Sequence, residues 1–336
     1  MSHRLSPLRD SLLPWALAGW ALLALPLAQA QSPAWPAAQP IQLVVGYPAG
    51  GSVDLVARTV AEPLSKRLGT PITVENIFGV GGTLGAQKVV NAPADGYTLL
   101  LGSGSEVSIA RILNASVKYD GQIDLAPIGM IGDTPMVLVA SPNAQVKTID
   151  EALKRARKEP NKLFFASSGV GTPLHVSGEL VNLMAGVTLR HAPYRGAPQM
   201  AQAVETGKID FGVFVLSSAL PLIQSGKVIA LGVTTPTRWS GAPQIPSLAE
   251  HSKLKGYDMN VWFGLFGPAK LPTAIQTRLN KELNEVLKQP DVRSKLQDAG
   301  ITTHEGTPQA LAAFVHRETQ RVRSVVNTAL TTGAAP

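Results

Sequence analysis

The sequence predicts an α/β fold of two lobes, each a mostly parallel sheet flanked by helices, and three observations predict it. Short apolar runs of strand character alternate with longer runs of helical period, the pattern of successive βαβ units. The 336 residues exceed one ordinary domain, and 45% are hydrophobic against 16% charged, so more than one core can be buried. Two apolar strands, Met136 to Ala140 and Val228 to Val233, flank a complete second βα series, as strands joining two lobes would. Lobe one is therefore expected over residues 31–135 and 234–336, and lobe two over 136–233. No internal repeat is present.

Residues 1–30 read as a signal peptide. His3, Arg4 and Arg9 form a basic start, and Leu12 to Leu27 is an apolar stretch broken only by Pro14, Gly19 and Pro26. Ala28-Gln29-Ala30 then gives the small-x-small pattern of a cleavage site. The run is short and proline-interrupted for a membrane span, which needs about 20 apolar residues. A mature, periplasmic chain starting near Gln31 is expected. The sequence has no cysteine, which excludes disulfides, thiolate metal sites and lipid attachment.

After a Pro/Ala-rich leader, Ile41 to Val45 reads as a buried strand and Tyr47 to Ser52 as its exit loop. A helix follows with Ser52 as N-cap and Val53, Val56, Ala57, Val60, Leu64 and Leu68 on its apolar stripe. Pro63 should kink or divide it. Strands at 72–74 and 97–101 enclose a helix that runs from the Gly79-Val80-Gly81-Gly82 turn to Val90. In the second series Thr148 and Glu151 form a capping box for a helix over 149–158. Strands are predicted at 163–166, 189–191 and 209–215, with helices from Thr172 to Met184, over 198–204 and over 218–224. The chain returns with a strand at 261–266 and helices over 275–287, 292–299 and 309–326.

The formal charge of +7 is spread along the chain, without the clustered stripe of a nucleic-acid surface. Three glycine- or serine-rich loops join strand ends to helix starts: Pro48 to Asp54, Gly102 to Ser108, and Ser167 to His175. Unpaired N–H groups and the helix dipole make such junctions anion sites, and Ser or Thr hydroxyls add donors. Any one of them could equally be an ordinary βα turn. Three in separate units would meet at one cleft between facing lobes. Enzyme motifs fail: Gly79-Val80-Gly81-Gly82-Thr83-Leu84 lacks the third glycine of a dinucleotide loop, no Walker loop exists, and Gly102-Ser103-Gly104-Ser105-Glu106 misses the nucleophile elbow at its last position. The histidines have no metal-ligand spacing, so neither metal nor cofactor is expected. His175, in the first turn after a candidate loop, is the histidine retained.

Tyr47-Pro48-Ala49-Gly50-Gly51-Ser52-Val53-Asp54 through Arg58 resembles the first ligand loop of the tripartite tricarboxylate transporter substrate-binding receptors, also called Bug-type receptors. Further matches follow in family order: Val74-Glu75-Asn76, Asp95 to Leu100, Ser167 to Thr172 with His175, Gly178 and Glu179, Pro193-Tyr194-Arg195-Gly196, and Pro243 to Ser247. The resemblance covers nearly the whole mature chain. It implies a type II periplasmic binding protein, or Venus flytrap, that takes a small carboxylate to a membrane permease and works as a monomer. An orphan sensor receptor, or a secreted enzyme on the same frame, are the alternatives. The resemblance implies ligand contacts from Tyr47, Ala49, Gly50, Gly51, Ser52 and Asp54 on one side, with Asp54 alternatively pairing Arg58. From the other side it implies Ser168, Gly171, Thr172, His175, Tyr194 and Arg195. The chain departs from the family pattern at Ser105-Glu106-Val107-Ser108 and at Phe214-Val215-Leu216-Ser217, so the far wall of the pocket is expected to differ. Ser105 and Glu106 belong to that wall; Glu106 should either meet a ligand amine or amide or cap the helix behind it.

Overall fold

The computed structural model describes residues 35–194 and 196–331; the expected signal peptide and Arg195 lie outside the described residues. The run Ile41-Gln42-Leu43-Val44-Val45 forms β1 (Ile41–Val45), and α1 (Ser52–Leu68) carries the chain to a parallel neighbour, β2 (Ile72–Asn76). α2 (Thr83–Val90) leads to β3 (Thr98–Ser103), parallel to β1 on its other edge. α1 and α2 both pack on β1, and a strand covered on both faces is apolar on both, which is why β1 does not alternate beyond the exposed Gln42. A π-helical turn, Ser105–Ile109, and the short α3 (Ala110–Leu113) precede β4 (Leu125–Thr134).

The second series is β5 (Met136–Ala140), α4 (Ile149–Lys158), β6 (Phe164–Ser167), α5 (Pro173–Ala185), β7 (Arg190–Pro193), α6 (Ala197–Glu205), β8 (Phe211–Val215), α7 (Leu216–Gln224) and β9 (Ile229–Val233). The chain returns through β10 (Val261–Pro268), α8 (Thr273–Leu287), α9 (Pro290–Asp298), β11 (Thr302–Thr303) and α10 (Pro308–Thr331). One sheet has the order β11-β4-β10-β3-β1-β2 and the other β7-β6-β8-β5-β9. Both are mixed. The parallel runs are β2-β1-β3 and β7-β6-β8, while β10 is antiparallel to β3 and β4, and β5 to β8 and β9. These reversals fall where the chain passes between sheets without a crossover helix, so nothing there imposes parallel pairing.

Several local expectations change. Gly51, not Ser52, is the N-cap of α1, and no side chain caps it. Pro63 does not divide α1: the helix runs from Ser52 to Leu68 through it, with Pro63 half-exposed beside the exposed Glu62. β4 went unrecognised because Leu125 to Thr134 contains Pro127, Gly129 and Gly132, which read as strand breakers. Packing explains Gly132: a Cβ there would stand 2.4 Å from the Thr302 carbonyl oxygen of β11.

Both expected connecting strands lie wholly within the second sheet, β5 between β8 and β9. The passages themselves are shorter: Pro135, and the residues after Val233. Buried Thr234 ties them together, its N–H donating to the Met136 carbonyl at 3.0 Å and its Oγ1 accepting from the Met136 N–H at 2.8 Å. α10 packs on β4 of the first sheet and on α5 of the second. No helix among the described residues is long and apolar enough to cross a membrane.

Candidate functional site

Four helices begin at one cavity of about 470 Å³ between the loops of the two sheets. α1 presents Gly51, Ser52 and Val53 to it, α5 presents Thr172, Pro173 and Leu174, α6 Gly196 and Ala197, and α7 Val215 and Ser218. Side-chain caps are missing at α1, α6 and α7; only α5 is capped, by Thr172 Oγ1 accepting from the His175 N–H at 3.3 Å. Helix N-termini are the positive ends of backbone dipoles and carry N–H groups without intrahelical partners. Among the described residues no Lys, Arg, His, Asp or Glu lines the cavity. The charge preference that the described residues give it comes from these neutral donors, which favour an anion. Leu174, Met200, Phe214, Val215 and Val261 make part of the wall apolar.

The first loop is held from behind by Asp54, which is 3% exposed and does not line the cavity. Its carboxylate accepts from the Gly50 N–H at 2.9 Å, from Arg58 Nε at 3.0 Å and from Asn76 Nδ2 at 2.9 Å, and Asn76 Nδ2 also donates to the Tyr47 carbonyl at 2.9 Å. Burial alone would raise the Asp54 carboxyl, but the bonds from Arg58, Gly50 and Asn76 together hold it below its ordinary value. Of the two roles expected of Asp54, pairing with Arg58 is the one observed. An anionic side chain that positions a loop while facing away from an anion-favouring cavity is electrostatically consistent with that role.

The second loop rests on a buried aromatic pair. His175 and His191 stack with ring centroids 4.0 Å apart, and His191 Nε2 lies 2.6 Å from Ser167 Oγ at the end of β6. His175 Nδ1 accepts from the Gly171 N–H at 3.2 Å, fixing the loop where Gly171 turns at a positive φ of 80°. Its Nε2 points toward Glu179 Oε1 at 3.8 Å, beyond hydrogen-bond reach, and neither atom has a hydrogen-bond partner among the described residues. Burial pushes His175 down to about 4 and, with the neighbouring His175 charge, His191 down to about 3; it pushes Glu179 up to about 7. Both rings are thus neutral near pH 7. His175 is 4% exposed and stands behind the cavity wall.

Glu106 also stands behind the wall. It is 1% exposed and is not among the residues that line the cavity. Oε1 accepts from the Ser103 N–H at 2.7 Å, the half of a capping box that reaches back three residues. Oε2 accepts from Ser103 Oγ at 2.7 Å and from the Tyr47 hydroxyl at 2.8 Å. Gly82 makes room for this cluster: a Cβ there would lie 3.0 Å from Glu106 Oε2, and its φ of 92° suits glycine alone. Burial raises the Glu106 carboxyl to about 7 despite its three donors.

Of the residues singled out from sequence, Tyr47, Ala49, Gly51, Ser52, Ser105, Ser168 and Thr172 line the cavity. Gly50 donates to Asp54, and Gly171 lines a second cavity of about 390 Å³ that shares Ser105 with the first. Tyr194 bonds the Ser167 carbonyl through its N–H without lining the cavity, and Arg195 lies outside the described residues. Sequence reading missed Ser103, Leu174, Met200, Ser218 and Val261. The uncapped starts of α6 and α7 were the available signal, since neither Gly196 nor Val215 offers a capping side chain.

Residues 56–330 match the family model described as a tripartite tricarboxylate transporter family receptor. A protein encoded in the tcbD-tcbE intergenic region of Pseudomonas sp. strain P51 is 36% identical over 86% of this chain and 85% of its own. An R. palustris protein solved with adipate superposes with a TM-score of 0.76 at 31% identity, covering 88% of this chain and 98% of that one. MatC from Rhodopseudomonas palustris, solved with bound malate, gives 0.74 at 30% identity over 86% and 99%. With the family model spanning most of its length over this two-sheet frame, the chain belongs to the tripartite tricarboxylate transporter receptor family, whose members are periplasmic solute-binding receptors.

Proposed function

We propose that this protein captures a small carboxylate in the periplasm and delivers it to a membrane permease of the tripartite tricarboxylate type. Four helix N-termini converging on a cavity without charged lining, among the described residues, is the observation that carries the reading. The adipate and malate held by two similar structures support the carboxylate class. On this reading residues 1–30 are removed near Ala30 on export. The two sheets are then the cores of two lobes that close about Pro135 and Thr234, and the receptor acts as a monomer. Gly51, Ser52, Ser168 and Thr172 hold the carboxylate, while Asp54 and His175 keep their loops in place.

The test uses protein recovered from the periplasm, with intact mass fixing its first residue. Carboxylic acids of graded length and polarity are then screened by thermal shift and small-angle scattering. At 100 times Kd a ligand specific to the native state adds about 2.7 kcal/mol of stability, and closure reduces the radius of gyration. A panel in which no acid raises Tm, or in which binding acids are turned over, refutes the receptor role.

A further inference from the structure

The cluster behind the first loop bears on which carboxylate is taken. Tyr47 and Ser103 both line the cavity, and each hydroxyl has a single proton to give. Both are directed away from the cavity, onto Glu106 Oε2 at 2.8 and 2.7 Å. Two other acceptors lie near the Tyr47 hydroxyl, the Gly81 carbonyl at 3.2 Å and Ser103 Oγ at 3.3 Å, and either would also draw that proton away from a ligand. What the two hydroxyls can offer a bound molecule is lone pairs. A ligand carboxylate has only acceptors, so against this wall it would set lone pair against lone pair.

We propose that Glu106 is a positioning residue that makes this wall of the cavity a hydrogen-bond acceptor, so that the ligand is a carboxylate bearing an N–H or O–H donor at its far end, an amide, amine or alcohol, and not a plain diacid. The acid end goes to the helix N-termini, the apolar middle to Leu174, Met200 and Phe214, and the donor to Tyr47 and Ser103. The negative charge of Glu106 has no cationic neighbour among its hydrogen-bond partners, and Tyr47 and Tyr119 are the titratable groups that feel it. A ligand donor, charged or neutral, supplies the missing complement through the two hydroxyls. This inference deepens the receptor reading and rests on it.

The experiment measures Kd by calorimetry near pH 8 for matched pairs of diacid and monoamide, beginning with adipate and adipamate, on the mature wild type, Glu106→Gln and Tyr47→Phe. In the wild type the monoamide binds about tenfold or more tighter, the worth of one buried hydrogen bond made rather than opposed. Glu106→Gln keeps an acceptor for the Ser103 N–H but donates its amide to the hydroxyls, turning their protons toward the ligand. The preference then falls about tenfold or reverses. Tyr47→Phe, which keeps the buried carboxylate but removes one of the two accepting hydroxyls, weakens the monoamide and narrows its advantage over the diacid. A wild type that prefers the diacid, or a preference unchanged in Glu106→Gln, overturns the inference while leaving the receptor standing. If neither member of any pair binds, the receptor reading itself falls and this one with it.

Discussion

Glu106→Gln also makes a prediction about stability that needs no ligand. The carboxyl is held at about 7 against an ordinary value of 4.5, with burial as the dominant cause. Below pH 4.5 the group is protonated whether the chain is folded or not, and contributes nothing differential. Between 4.5 and 7 the unfolded chain releases the proton while the folded chain keeps it, so stability falls as pH rises; above 7 the deficit is constant. The difference between 4.5 and 7 corresponds to about 3 kcal/mol at full extent, of which about 2 to 3 kcal/mol falls between roughly pH 5 and pH 8. Glutamine does not titrate and fills the same space. Glu179 and Glu318 are raised to about 7 as well, so wild-type stability alone cannot isolate the effect, but both are unchanged in the variant and cancel in the comparison. Urea unfolding of wild type and variant at about pH 5, 6, 7 and 8 should show the variant gaining on the wild type with rising pH by about 2 to 3 kcal/mol. Parallel stability curves would refute the claim that Glu106 is ionised in an unfavourable site.

Two further outcomes follow from the packing. Gly178→Ala places a Cβ 2.1 Å from the ring of Phe165, a fully buried side chain that also contacts His191, so α5 must shift and urea melts should show a loss of about 1 to 3 kcal/mol. Thr234→Val removes the hydroxyl that accepts from the Met136 N–H at the passage between sheets; the orphaned donor should cost about 1 to 3 kcal/mol by chemical denaturation, and an unchanged midpoint would show that the tie does not matter.

The periodicities alone were enough for the α/β class, the two βα series and the loops at which helices start. Met136 to Ala140 is apolar throughout, and Ile41 to Val45 apart from Gln42, because both faces of each strand are covered, and that pattern is local. The loops that carry Gly51, Ser52, Ser168 and Thr172 were legible for a similar reason, since backbone turns and caps depend on a few consecutive residues, while the individual residues came from the family resemblance. Tertiary structure decided what depends on distant partners. β4 is a strand only because β10 and β11 pair with it and Thr302 needs the space at Gly132. Glu106 could be placed near the cleft by sequence, yet its direction was set by Tyr47, 59 positions away, and by a glycine at position 82 that lets the carboxylate in. The same holds for His175: its ring stacks on His191 from a neighbouring strand, a contact no local pattern encodes. Hydrogen-bond direction and burial are properties of the assembled interior, and on those two quantities the chemistry of the cavity turns.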